Sequence, residues 1–365
     1  MSPQLYAPVF LYSVILMTIF VGQTAGNSYA LIKSNKNNFF IALLVCVVFA
    51  LWLGNRPVAM EFGDTFNYNH KYELIQYGHE VNINEGEGLF AFLMIYCAER
   101  YEVNIFFTLI DILYFGFTLW ACKRFAPNNP FAMLLFVMGA FSFYTYGVNG
   151  IRNGLACSII LVAISYLNEN KRDLIIAGIL SLAAFNIHRS TVLPTLMAFG
   201  SYFFLRSGFK WSVIFWLFSI LISLTLGSFV ENIFTSLGFD DRMTKYMSSE
   251  FDEEFENTGF RWDFLLYSAM PIILGYVIVI TKGIQDKTYL LLLNTYTLSN
   301  AFWVMMIRAN FSNRFAYLSW FMYPIVLGYP LLRLNVWGAD QGRRLRLIMY
   351  AQVGFTWFME TFIWK

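Results

Sequence analysis

An arginine stands where two apolar runs are interrupted. The stretch Tyr144–Gly154, read YTYGVNGIRNG, lies between Phe131–Phe143 and Ile159–Tyr166. Gly147, Gly150 and Gly154, with Asn149 and Asn153, loosen the chain there and leave Arg152 at the break. A guanidinium in such apolar surroundings is costly unless it has a partner, and its planar fork suits phosphate oxygens. Arg189, Arg308 and Arg314 recur at or near other predicted helix ends. Arginines at these places pair with acids, meet lipid headgroups or bind an anionic ligand. Several gathered from separate helices would suit a diphosphate. A second signal is FNIHRST, Phe185–Thr191: His188 is either a general base for a hydroxyl or a capping histidine. A third is Gly63–Glu73, GDTFNYNHKYE, followed by NEGEGLFAFL at Asn84–Leu93. Its acids, amides and aromatic rings suit sugar hydroxyls and ring faces, although an ordinary ordered loop would look similar. Asp64 and Glu87 are the acids of interest there; Tyr68, with Asn149 and Asn153, is a candidate glycan contact. A fourth is Asp111, about 10 Å along its predicted helix at 1.5 Å per residue. It is either functional or the structural partner of an arginine or a backbone group.

The elements that must position these residues follow from composition. The 365 residues are 58% hydrophobic and 13% charged, about half the charge of a soluble domain. No stretch between apolar runs is long enough for a hidden soluble catalytic domain. Cys46, Cys97, Cys122 and Cys157 lie scattered inside apolar runs, which argues against a disulfide framework or a clustered metal site. There is no HExxH, no Walker loop and no Gly-x-Ser-x-Gly elbow. The reading includes no metal, no cofactor and no nucleic-acid partner.

With about 20 apolar residues per crossing, helices are predicted near 5–22, 38–54, 104–122, 130–147, 152–168, 173–188, 191–205, 211–230, 262–281, 288–306, 314–333 and 345–363. The piece 88–98 is too short to cross and is predicted to be amphipathic or re-entrant. Six basic connections, from Lys33/Lys36 to Arg333 with Arg343, Arg344 and Arg346, fall on one side only if 88–98 does not cross. The expected fold is therefore an all-α polytopic membrane protein of about twelve transmembrane helices, in one domain over 1–365. Both termini would lie outside, as would two acidic connections near 55–87 and 231–261. Arg152, His188, Arg189, Arg308 and Arg314 would share that outer side.

The order of short motifs resembles a family. Asp64 and Tyr68 come first, then Glu87–Phe90 (EGLF), GIRNGLA at Gly150–Ala156, HRS at His188–Ser190 and NRFAYLSWFMYPIVL at Asn313–Leu327. This is similar to the EpsG/Wzy group of bacterial polysaccharide polymerases, although Glu-Gly-Leu-Phe stands where Glu-Pro-Gly-Phe is expected. The resemblance implies a GT-C-like glycosyltransferase in the bacterial inner membrane with its site on the periplasmic face. The donor would be a growing glycan on undecaprenyl diphosphate, and the acceptor an oligosaccharide repeat on the same carrier. A flippase and a chain-length co-polymerase are the implied partners. Arg152, Arg308 and Arg314 would stabilise the diphosphate; His188, Asp64 or Glu87 would take the hydroxyl proton, with inversion at the anomeric carbon. Rival readings are a transporter or flippase of a lipid-linked glycan, and an O-antigen ligase-like transferase. A transporter commonly shows two related halves, and none is visible here.

Overall fold

The computed structural model describes residues 1–24, 36–79, 87–205, 208–236, 260–308 and 312–363. Lys33, Glu80, Asn84, Glu85, Arg206, and the acids from Asp240 to Glu256 with Arg242 and Lys245, lie outside the described residues. Among those described, every element is helical and there is no strand. The helices are α1 (Tyr6–Thr24), α2 (Lys36–Gly54), α3 (Thr65–Gln76), α4 (Gly88–Ala98), α5 (Val103–Phe125), α6 (Pro130–Met138), α7 (Phe143–Val148), α8 (Ile151–Ser165), α9 (Lys171–Ile187), α10 (Val192–Phe204), α11 (Lys210–Ser236), α12 (Trp262–Tyr276), α13 (Lys287–Met305), α14 (Asn313–Trp320), α15 (Tyr323–Arg333) and α16 (Gln341–Phe358).

Helix surfaces carry the signature of lipid. On α9, Ile175, Ile179 and Leu182 are exposed at one-face spacing; on α11, so are Leu217, Phe218 and Leu221. Rows of this kind are rare on soluble proteins and normal against acyl chains. Among the described residues, four helices, Pro3–Thr24, Val103–Phe125, Trp262–Thr281 and Arg314–Arg333, are by themselves long and apolar enough to cross a membrane. Of the about twelve crossings expected from apolar stretches alone, several form shorter or split helices. The predicted helix 130–147 is two pieces of nine and six residues. The piece at 88–98 forms α4 over that very range; its eleven residues rise about 16 Å, half of a ~30 Å hydrocarbon core.

The break between α6 and α7 is stabilised by side chains of α16. Its loosened carbonyls need donors, since lipid supplies none. Gln352 Nε2 donates to the Phe136 carbonyl at 2.6 Å, and Thr356 Oγ1 to the Gly139 carbonyl at 2.8 Å. Gln352 and Thr356 lie four residues apart on one helix face, so a single helix serves both carbonyls at the end of α6.

Contacts divide the chain into two units, Met1–Thr195 with Leu327–Lys365, and Leu196–Val326. In the first, α5 is central and packs against α2, α4, α6 and α8, while α8 also packs against α9. In the second, α13 packs against α11, α12 and α14. Its buried amides join the helices: Asn294 Nδ2 donates to the Leu205 and Gly208 carbonyls, each at 3.0 Å, and Asn300 links Trp216 Nε1 (2.8 Å) to Ser319 Oγ (3.0 Å). Such interhelical bonds act as directional glue where all faces are apolar.

Replacing Gln352 by Leu leaves the Phe136 carbonyl without its side-chain donor. The expected cost is about 1–3 kcal/mol, read as a lower unfolding temperature of the detergent-solubilised protein.

Candidate active site

The site begins with a helix that the sequence reading treated as loop. Gly63 has φ +57° and turns the chain into α3. Thr65, Tyr68 and Tyr72 are buried along one face of α3, at spacings of three and four. This periodicity, directly after Asp64, was the missed signal. Tyr72 OH donates to the Tyr101 carbonyl at 2.9 Å and ties α3 to the turn between α4 and α5. Burial raises the Tyr68 phenol above its ordinary value, so it remains protonated near neutral pH.

Arg152 enters from the second position of α8. The helix can lie close to α7 because residue 154 is Gly: a Cβ there would sit 2.7 Å from the Tyr146 carbonyl oxygen. The Arg152 guanidinium is buried. Its Nε donates to Tyr68 OH at 2.9 Å, and its Nη1 to Glu87 Oε2 at 2.5 Å. It also lies 5.7 Å from the Phe90 ring centre. A cation in the first turn of a helix opposes the helix dipole, and a carboxylate at its side offsets that cost. Glu87 occupies the favourable counterpart, directly before the first residue of α4.

Glu87 uses its other oxygen elsewhere. Oε1 accepts from the Arg189 backbone N–H at 3.4 Å and lies 3.6 Å from His188 Nδ1. His188 ends α9, and its Nδ1 accepts from the Ser190 backbone N–H at 3.3 Å, with Ser190 Oγ at 3.0 Å. A backbone N–H only donates, so a neutral His188 in this arrangement carries its proton on Nε2.

Asn149 lies one layer away. Its Oδ1 accepts from the Asp64 backbone N–H at 2.8 Å, and its amide packs where a Cβ on Gly63 would stand, at 2.5 Å. Asp64 Oδ1 accepts from Asn67 Nδ2 at 3.2 Å, and Asn153 Oδ1 is 3.2 Å from Cys157 Sγ on the same helix. Arg308 and Arg314 belong to the second unit: both are exposed, with the Arg308 guanidinium 5.8 Å from the Phe260 ring centre. The exposed Arg189 contributes its backbone, not its charge, to Glu87. Asp111 takes the structural alternative and pairs with Arg56 at 3.0 Å. By sequence Arg56 falls in the acidic connection 55–87; its place two residues after the predicted helix 38–54, ahead of an intramembrane acid, was the available clue.

These features describe a membrane-embedded helical protein with a buried cation–carboxylate–imidazole cluster. The sequence profile of the EpsG family matches residues 9–353, nearly the whole chain. The chain belongs to the EpsG family, a family of Wzy-type polysaccharide polymerases, and membership supports a polymerase-type role. Comparison with curated proteins and with solved structures gives no significant match.

Gly63→Ala forces a side chain into a positive-φ position and against the Asn149 amide. It is expected to destabilise the protein by at least about 1 kcal/mol, seen as earlier thermal unfolding.

Proposed function

We propose that this protein is an inverting, metal-independent GT-C-type polymerase of lipid-linked glycan repeats. It moves a growing glycan from undecaprenyl diphosphate to a sugar hydroxyl of a second lipid-linked repeat, on the outer face of a bacterial cytoplasmic membrane. The observation that carries this reading is the meeting of Arg152, Tyr68, Glu87 and His188 from distant segments, in a chain of the EpsG family. A flippase supplies the repeats, and a chain-length co-polymerase is the expected partner.

The chemistry follows from the shared carboxylate. A diphosphate offers Arg152 a more highly charged oxygen array than Glu87 does, and takes over the guanidinium. Glu87 is then free to accept a hydrogen bond from His188 Nδ1–H. That shift of tautomer leaves the lone pair on Nε2, which removes the proton from the acceptor hydroxyl. The hydroxyl oxygen forms its bond to the anomeric carbon as the bond to the diphosphate oxygen breaks. Arg152 stabilises the charge that collects on the leaving diphosphate. Asp64 is the alternative base. Tyr68, Asn149 and Asn153 are the proposed glycan contacts, and Arg308 and Arg314 the proposed phosphate contacts of the second unit.

In a deletion strain read by a glycan ladder, Arg152→Ala is expected to abolish the ladder while single capped repeats persist. Loss of single repeats from the cell surface as well would favour transport or ligation instead. His188→Ala is expected to slow polymerisation by about 100-fold or more while diphosphate binding is kept. Unchanged polymer length and yield in that variant would remove His188 as the base.

A further inference from the structure

Arg56 is fully buried, stands apart from the Arg152 cluster and has no part in the proposed reaction. Its surroundings give it one. Nη1 donates to Asp111 Oδ2 at 3.0 Å and to the Leu53 carbonyl at 2.9 Å. Nη2 donates to the Val148 carbonyl at 3.3 Å and lies 3.4 Å from Thr65 Oγ1. Thr65 Oγ1 donates to the same Val148 carbonyl at 2.7 Å. We propose that Arg56 is a positioning residue: together with Thr65 it clamps the Val148 carbonyl and so sets the turn from which Arg152 reaches Glu87 and Tyr68, while Asp111 holds Arg56 in place.

Three observations carry this. Val148 is the last residue of α7, where carbonyls lack intrahelical donors and the dipole favours a cation. The following residue, Asn149, is fixed by the Asp64 N–H, so both residues entering the turn before α8 are held from the side of α3. Thr65 and Tyr68 are one helical turn apart on α3; one holds the turn and the other holds Arg152 itself. Moreover, the Arg56–Asp111 pair is poorly completed as a stabiliser. Asp111 Oδ1 and Arg56 Nε are buried without a hydrogen-bond partner among the described residues. Apolar residues of similar size serve stability as well as a buried ion pair or better, so what the pair adds is the donor aimed at Val148.

The inference rests on the reading of Arg152 as the diphosphate ligand, and the test separates the two. The double variant Arg56→Met/Asp111→Leu removes the clamp without leaving a lone buried charge. It is expected to insert and to unfold near the wild-type temperature. Hydrogen exchange of the amides from Asn149 to Asn153 should quicken. Affinity for farnesyl diphosphate, used as a soluble probe, should fall by about 10–100-fold, with loss of the long-chain glycan ladder. Arg56→Lys, which keeps the charge but not the fork, should restore part of that affinity. Wild-type exchange together with wild-type probe affinity in the double variant overturns the clamp. If the double variant does not fold, Thr65→Val removes only the second donor: faster exchange at the turn and weaker probe binding support the clamp, and wild-type values for both overturn it. A wild-type protein that fails to bind the probe refutes the role of Arg152, and turn exchange in the variants then decides the clamp alone.

Discussion

The structure of the first unit depends on keeping a guanidinium out of water. Arg152 is buried near the start of a helix, where its charge is opposed by the helix dipole and by the apolar surroundings. It persists there because Glu87 approaches from the start of α4 and Tyr68 from α3. Each partner in turn requires a scaffold: the positive-φ turn at Gly63, the Tyr72 anchor, and the close crossing of α7 and α8 at Gly154. The pair also gives the site its responsiveness. Under the proposed function, a carboxylate that neutralises the cation would yield to a ligand of greater negative charge, a diphosphate rather than a neutral sugar.

The two buried arginines of this unit contrast in kind. Arg152 is held by two side chains, Tyr68 and Glu87, next to an imidazole that is partly exposed. Arg56 is enclosed by a carboxylate, two carbonyls, a hydroxyl and the Phe107 ring at 4.7 Å, with no face for a ligand. Arginine type and apolar context are therefore insufficient to mark a binding residue. What separates the two is their enclosure: side chains beside a partly exposed imidazole for Arg152, a closed set that includes backbone carbonyls for Arg56.

Much of this was legible in the sequence. The helix at 88–98, the break around Arg152 and the nearness of His188 to the site were all readable from apolar run lengths, glycines and motif order. Glu87 takes its place beside Arg152 even though Gly-Leu stands after it where Pro-Gly was expected, because the position before the helix, not the following residues, sets its carboxylate. Helix α3 was missed because its polar residues obscured a narrow apolar face of three residues. The split of 130–147 was missed because the side chains that permit it lie more than two hundred residues away, on α16. The role of Arg56 was not legible for a related reason: its partners Asp111 and Val148 are distant in sequence, and one of them is a backbone carbonyl without a side-chain signature.

The α6–α7 gap has a consequence for biogenesis. Its open carbonyls are synthesised long before Gln352 and Thr356 leave the ribosome. Until then the end of α6 lacks those two side-chain donors. Completion of this unit is thus deferred to the arrival of α16, the last α-helix of the chain to be synthesised among those described.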